Sequence, residues 1–220
     1  MLYSFCKRCF DILSSLLALL VTLPVQLFAA VGILISDPGP IFYLAKRTGK
    51  NDRTFTMLKF RTMRQGKANE SVFRGEESRI FPFGALLRRT KIDELPQLVN
   101  VLIGDMSVVG PRPAAPSQFE MVRGGRYGKI SEVPCGLSSP SALYDYIYGD
   151  SVTNGEEYNR LVLPTRLELD LVYLQKRGAA FDCKMIFWTV ACIADSILHR
   201  KPDKIYRQLI AWAEGNREQP

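Results

Sequence analysis

Between Ile12 and Ile35 the chain carries no charged residue, and its only polar side chains there are Ser14, Ser15, Thr22 and Gln26. No other stretch is of membrane scale, and it constrains the fold more than any other feature. About 20 apolar residues suffice for a spanning helix. A signal peptide is a second reading, but no small-residue cleavage site precedes the basic stretch that follows. A third reading is a hairpin that enters and leaves one leaflet, and two features favour it. Pro24 lies mid-segment, where it kinks or breaks a helix. Each half is then about a dozen residues, or roughly 18 Å, short of a ~30 Å hydrocarbon core. Basic residues also flank both ends, Lys7 and Arg8 before it and Lys46, Arg47 and Lys50 after it. If both flanks prefer the cytoplasm, the chain returns to the side it entered. Proline is tolerated in spanning helices, so a span stays open.

The rest of the 220 residues suits one α+β domain of ordinary size. Turn chemistry at Asp37-Pro38-Gly39-Pro40 ends the apolar segment. Ile41–Lys46 and Arg53–Phe60 read as two short strands around a Gly49–Asp52 turn. Gln65–Arg79 is polar and aperiodic, and reads as a loop. Phe83–Thr90 reads as a short helix. Glu156–Lys176 reads as one helix, or as two meeting near Leu163 because Pro164 interrupts it. Phe181–Leu198 is an apolar helix suited to the domain or to the membrane interface. The division expected is a membrane helix over 1–36, a catalytic domain over 37–200, and a polar tail over 201–220 that forms at most a short amphipathic helix.

The net charge of +7 fits nucleic acid, anionic lipid or phosphorylated substrates. Basic and aromatic residues do not interleave as nucleic-acid surfaces require, so no nucleic-acid partner is expected. Cys6 and Cys9 form an isolated C-x-x-C with one histidine, His199, in the whole chain, which is too little for a zinc site. Phosphate-loop, dinucleotide-fold and nucleophile-elbow motifs are absent.

What remains is an acid pair among cations. In Thr90-Lys91-Ile92-Asp93-Glu94-Leu95-Pro96, Asp93 fits a helix N-cap and Pro96 the first turn. Its carboxylate would then sit at the positive end of a helix dipole. Arg88, Arg89 and Lys91 lie beside it in sequence. Lys59 and Arg61 share one strand face by period two, and suit a diphosphate if that face turns toward Asp93. Arg112 is stiffened between Pro111 and Pro113, and can be aimed at a phosphate or a carboxylate. A carboxylate can serve as nucleophile or bind Mg²⁺ while cations neutralise phosphate oxygens. An ordinary capped surface helix remains the alternative for these residues taken alone.

Several long motifs, in order from Lys7 to about Ile193, resemble the bacterial sugar transferases, the small monotopic phosphoglycosyl transferases. They are Lys7-Arg8-x-x-Asp11, Pro24, Lys59-Phe60-Arg61-Thr62-Met63, the run Asp93-Glu94-Leu95-Pro96-Gln97-Leu98-x-Asn100-Val101-Leu102-x-Gly104-Asp105-Met106-Ser107, and Gly110-Pro111-Arg112-Pro113. The resemblance implies transfer of a phosphosugar from a UDP-sugar to polyprenol phosphate, with release of UMP. It implies Asp93 as a nucleophile that forms a covalent phosphosugar intermediate. Glu94 would act beside it, with Mg²⁺ as cofactor held by Asp93 and Glu94. Lys59, Arg61, Arg88 and the Pro111-Arg112-Pro113 element would contact substrate, the last on the nucleotide side. It implies a re-entrant helix kinked at Pro24, seated in lipids of the cytoplasmic leaflet of a bacterial inner membrane. Homo-oligomerisation stays open. Three places depart from the family pattern. Leu23 precedes Pro24 where a small polar residue is common. Asp52 replaces a frequent glycine. The usual P-G-[IL]-T-G-L-A-Q-V-N-G-R loop reads Pro134-Cys135-Gly136-Leu137-Ser138-Ser139-Pro140-Ser141-Ala142-Leu143-Tyr144, so the donor sugar cannot be named from it.

Overall fold

The computed structural model describes residues 2–65, 79–149, 152 and 155–217. The loop expected between Gln65 and Arg79 lies almost wholly outside them. The fold is α+β and mostly helical. Helix α1, Leu2–Ser36, is one helix of 35 residues with Pro24 inside it. It is long and apolar enough to cross a membrane.

Strands β1, Phe42–Thr48, and β2, Thr54–Phe60, pair antiparallel, with Tyr43 opposite Lys59 and Ala45 opposite Met57. Their turn holds Asn51 and Asp52 in the left-handed region, with φ of 51° and 58°. Asp52 is among the few side chains that tolerate this conformation. Its carboxylate also takes the Arg123 Nε–H at 2.7 Å, so the missing glycine is offset by an ion pair.

Helix α2, Pro82–Arg89, and helix α3, Gln97–Ile103, frame the acid pair. Gly104 ends α3 in the left-handed conformation, φ 101°, as a C-terminal cap requires. Strand β3, Ser107–Val109, runs parallel to β4, Gly136–Ser138. Between them lies the short helix α4, Phe119–Arg123, and after them α5, Pro140–Ile147. The expected 156–176 helix is two, α6 at Gly155–Leu161 and α7 at Leu163–Lys176. Pro164 falls in the first turn of α7, where its missing N–H costs little. Helices α8, Ala179–Ile197, and α9, Asp203–Arg217, complete the chain. The polar tail is therefore helical for 15 residues, and its Leu209 and Ala213 are buried in the main core with Val162, Leu169 and Met185.

Two smaller clusters tie the rest to this core. Ala45 and Met57 of the hairpin pack on Val101, Met106 and Cys135. Ala29 and Ile33 of α1 pack on Phe60, Phe81 and Leu87. The other end of α1 is fixed by polar contacts. Arg8 donates to the Val101 and Leu102 carbonyls at 2.6 and 2.8 Å, closing the end of α3. Buried Asp11 accepts from Ser107 Oγ and from the Val108 N–H at 2.8 and 3.0 Å. Lys7 pairs with Asp182 on α8 at 2.8 Å.

Candidate active site

The acid pair lies in a turn rather than at a helix start. Thr90 Oγ1 donates to the Leu86 carbonyl at 2.8 Å, where α2 ends. Lys91 then takes a left-handed conformation, φ 56°, which a non-glycine residue adopts only at a cost. Ile92–Glu94 form one 3₁₀ turn, closed by Glu94 N–H to the Lys91 carbonyl and Leu95 N–H to the Ile92 carbonyl, both 3.1 Å. Pro96, not Asp93, occupies the cap position of α3. The N-cap expectation for Asp93 is thus corrected. Leu95 and Pro96 already continue the helical bonding, so the backbone makes no use of the Asp93 carboxylate. Asp93 is 8% exposed, and among the described residues its buried Oδ1 has no hydrogen-bond partner.

Asn100 sets the hairpin against this turn. Its Oδ1 accepts the Leu58 N–H at 2.9 Å and its Nδ2 donates to the Thr56 carbonyl at 2.8 Å, which fastens α3 to β2. The adjacent Lys59 then reaches Glu94 at 2.9 Å, and Lys91 stands 3.7 Å from the same oxygen. The two acids respond in opposite ways. Burial pushes the Asp93 carboxyl above the ordinary carboxylate range, and the Glu94 charge adds to that against the pull of Lys59, Lys91 and Arg88. Burial would raise Glu94 as well, but Lys59, Lys91 and Arg112 outweigh it and hold Glu94 well below its ordinary value. So Arg88 and Arg112 both act on the pair electrostatically.

Arg61 is placed elsewhere. Strand β2 ends at Phe60, and the Arg61 guanidinium turns to Asp37 at 2.6 Å and bonds the Asp37 carbonyl as well. It ties the end of α1 to the hairpin and does not share a face with Lys59 toward the acids.

The Pro111-Arg112-Pro113 element is pinned from three sides. The Gly110 N–H bonds the Ser138 carbonyl at 2.9 Å, and the Gly136 N–H bonds the Pro111 carbonyl at 2.8 Å. These backbones are so close that a Cβ on Gly136 would sit 2.1 Å from the Gly110 nitrogen. The Arg112 N–H reaches Asp170 at 3.3 Å, and its Nε pairs with Asp145 at 2.8 Å. Tyr158 donates to Asp145 at 2.7 Å and accepts from Arg166 at 3.1 Å.

A family profile described as Bacterial sugar transferase matches residues 2–196. The chain belongs to the bacterial sugar transferase family. A Rhizobium leguminosarum exopolysaccharide production protein, PSS, is 50% identical over 109 residues, 48% of this chain and 54% of that one. The UDP-glucose:undecaprenyl-phosphate glucose-1-phosphate transferase of Escherichia coli is 33% identical over 188 residues, 84% of this chain and 39% of that protein. The exopolysaccharide production protein ExoY of Sinorhizobium fredii is 31% identical over 206 residues, 85% of this chain and 84% of its own length. The chain thus spans about half or less of the first two relatives.

Three residues join the site that sequence reasoning left unassigned. Lys91 stood in the basic run, and its left-handed turn brings its ammonium to Glu94. Asn100 was part of a long motif, yet only the hairpin contact gives it a role. Asp145 has no sequence signal, because its partner Arg112 lies 33 positions away. Among the described residues no group of three or more His, Cys, Asp or Glu side chains could hold a metal. The donor set is two neighbouring carboxylates, one with an idle oxygen. That suits a hard cation shared with ligand phosphate oxygens and water, and not an all-protein cage.

Proposed function

We propose that this sugar transferase family member moves a phosphosugar from a UDP-sugar to polyprenol phosphate through a covalent intermediate on Asp93. One observation carries the reading: a buried carboxylate oxygen without a partner, next to a second carboxylate already neutralised by lysines. Asp93 attacks the sugar-bearing phosphorus, forming a carboxyl O–P bond as the P–O bond to UMP breaks. UMP leaves. A phosphate oxygen of the polyprenol phosphate then attacks the same phosphorus, and the O–P bond to Asp93 breaks. The product is a polyprenol diphosphate sugar, and the carboxylate is restored. The names of the Escherichia coli relative and of the Komagataeibacter xylinus undecaprenyl-phosphate glucose phosphotransferase support these substrate classes.

The protein's own part is electrostatic. Attack brings an anion to a diphosphate, so stabilising charge must already be in place. Lys59 and Lys91 hold Glu94, while Arg88 and Arg112 bear on the pair from two other elements. Mg²⁺ held by Asp93, Glu94 and substrate phosphate would supply further charge neutralisation.

The same proposal seats α1 in one leaflet on the cytoplasmic face. A single domain grips the helix at Asp11 and again at Ala29 and Ile33. Asp11 and Ala29 are 18 residues apart, or about 27 Å of straight helix. A helix crossing a ~30 Å core would place these two grips on opposite sides of the bilayer. Between them, Leu13, Leu17, Leu20, Val21, Leu27 and Phe28 stand exposed, as a lipid-facing surface would.

The test is UMP release from a panel of UDP-sugars with polyprenol phosphate, with transfer of a labelled phosphosugar to protein followed in parallel. Label should appear on the wild type and not on Asp93→Asn. A labelled Asp93→Asn would remove Asp93 as nucleophile. Full turnover in chelator would remove Mg²⁺.

A further inference from the structure

Helix α2 leads from the exposed apolar surface of α1 to the end of α8. Phe28 is exposed on α1 and meets Phe83 of α2 edge to face, with ring centroids 5.9 Å apart. Leu86 follows three residues on, beside Phe83 on the helix surface, and is exposed. The last turn of α2 is held against α8 and α5. There Ser196 Oγ and Tyr146 Oη both donate to the Arg89 carbonyl, at 3.4 and 3.1 Å. Directly after Ser196, Ile197 and Leu198 stand exposed. His199 then takes a left-handed conformation, φ 54°, and turns the chain toward α9. Exposed apolar side chains thus follow one another from α1 along α2 to the end of α8.

Cations border this strip. The turn adds Arg200 and Lys201 and α2 adds Arg89, all three exposed. With Arg88 they line a cavity of about 680 Å³ between the ends of α2, α5 and α8 and the start of α9, and Asp203 is the one acid there among the described residues. Tyr206 forms part of the wall, packed against Tyr144 with ring centroids 6.2 Å apart and against Tyr148 at 6.4 Å. Tyrosine is at home at the depth of lipid headgroups, its ring in an apolar layer and its hydroxyl in a polar one. Arg200, Lys201 and Tyr206 lie beyond residue 196, where the family profile stops, so the chain's own C-terminal segment completes the cavity.

We propose that this cavity holds the headgroup phosphate of an anionic phospholipid, with the acyl chains laid over Leu86, Ile197 and Leu198. This rests on the seating of α1 in lipid given above and adds a second contact with the same leaflet. A basic pocket beside an exposed apolar strip matches a phosphate that carries acyl chains. A soluble anion would use the cations and leave the strip uncovered. The occupant is also a lipid that is held and not one that reacts. Neither Asp93 nor Glu94 lines the cavity, and the acid pair is where the reacting phosphates must meet.

The experiment places the full chain in phosphatidylcholine nanodiscs with small amounts of phosphatidylglycerol or phosphatidylcholine labelled with dansyl on an acyl chain. Energy transfer from Trp188 and Trp212, the two tryptophans of the chain, reads lipid at the site. Trp212 lies six residues along α9 from Tyr206, or about 9 Å. Labelled phosphatidylglycerol should bind at least tenfold more tightly than labelled phosphatidylcholine. Arg200→Gln/Lys201→Gln removes two exposed charges, and a thermal melt checks the fold. Each cation at an anionic headgroup contributes about fivefold, so the double variant should lose at least tenfold of that preference. It should leave KM for polyprenol phosphate alone. Equal binding of the two lipids, or an unchanged preference in the folded double variant, would overturn the proposal. Displacement of the labelled lipid by inorganic phosphate would overturn it in favour of a soluble anion. Displacement by polyprenol phosphate, with a raised acceptor KM in the double variant, would assign the cavity to the acceptor and overturn it as well. Equal binding in a protein that still forms the phosphosugar adduct sinks this site alone. A preference that the double variant loses, in a protein that never forms the adduct, keeps this site and sinks the transferase reading alone.

Discussion

Two pairs of acids stand close to Arg112, and they use their oxygens differently. Asp145 and Asp170 are buried and bonded: Asp145 by Arg112 and Tyr158, Asp170 through Oδ1 by Ser141 Oγ at 2.5 Å and the Arg112 N–H. Asp93 and Glu94 divide the work instead. Glu94 absorbs two lysines, and Asp93 keeps a buried oxygen idle. A buried polar atom without a partner costs on the order of 1–3 kcal/mol; Asp182 Oδ1 is another, but its carboxylate is held by Lys7 and Tyr3, whereas among the described residues no hydrogen bond holds Asp93. The contrast separates acids that hold the scaffold from an acid that is held ready by it.

The largest effect expected lies in the turn. Asp93→Asn should cut turnover by at least ~10³-fold, or about 4 kcal/mol, because in the proposed mechanism it removes the charge of the attacking oxygen. The same change should leave the melting temperature level or raise it, since burial already disfavours the charged carboxylate. Next comes Asp145→Ala, which takes the carboxylate away from Arg112 Nε and Tyr158 and leaves a void. Breaking a buried pair from one side costs about 3 kcal/mol, read by denaturant midpoint at pH 7. Should Asp93→Asn unfold the protein, or Asp145→Ala leave its stability intact, the division between held and holding acids fails.

The legible part of this site was local. Lys59, Glu94 and Arg112 stand out because cations cluster near an acid pair and prolines stiffen a turn. The β-hairpin followed from alternation and from turn residues at 49–52. What failed depended on where elements stop. Period two put Arg61 beside Lys59, but the strand ends at Phe60, and Arg61 found Asp37 instead. Capping preference put Asp93 at a helix start, but Lys91 takes the left-handed turn and Leu95-Pro96 extend the helix ahead of it. The Arg112–Asp145 pair and the packing of α9 were out of reach for another reason. They join residues far apart in sequence, and no local pattern encodes them.

Asp170 sharpens the comparison through pH. Burial lifts its carboxyl from 3.8 to about 6, against the pull of Arg166, Ser141 and the Arg112 N–H. The unfolded chain ionises near the lower value, so between the two the native state holds the extra proton. Stability therefore falls as pH rises from about 4 to about 6 and is level beyond it, by on the order of 3 kcal/mol. Asp170→Asn should flatten that decline in denaturation curves taken across the window. A decline of equal size in the variant would assign it to other groups.

The smallest expected effect turns a satisfied acid into an unsatisfied one. Asp11 is 3% exposed, and its two oxygens take Ser107 Oγ and the Val108 N–H. Ser107→Ala removes one of these bonds and leaves Oδ2 idle, as Oδ1 of Asp93 is. The cost should be about 1 kcal/mol. It should fall on the grip of α1, read as faster hydrogen exchange around Asp11 with the Ala29–Ile33 contact unchanged. If an idle buried oxygen were enough for chemistry, the variant would gain a second labelled site. None is expected, because among the described residues Asp11 forms an ion pair with Lys7 alone, at 3.9 Å, and Lys7 is shared with Asp182. Asp93 differs from Asp11 in that Lys59, Lys91 and Arg88 all bear on it, the electrostatic setting that the proposed nucleophile requires.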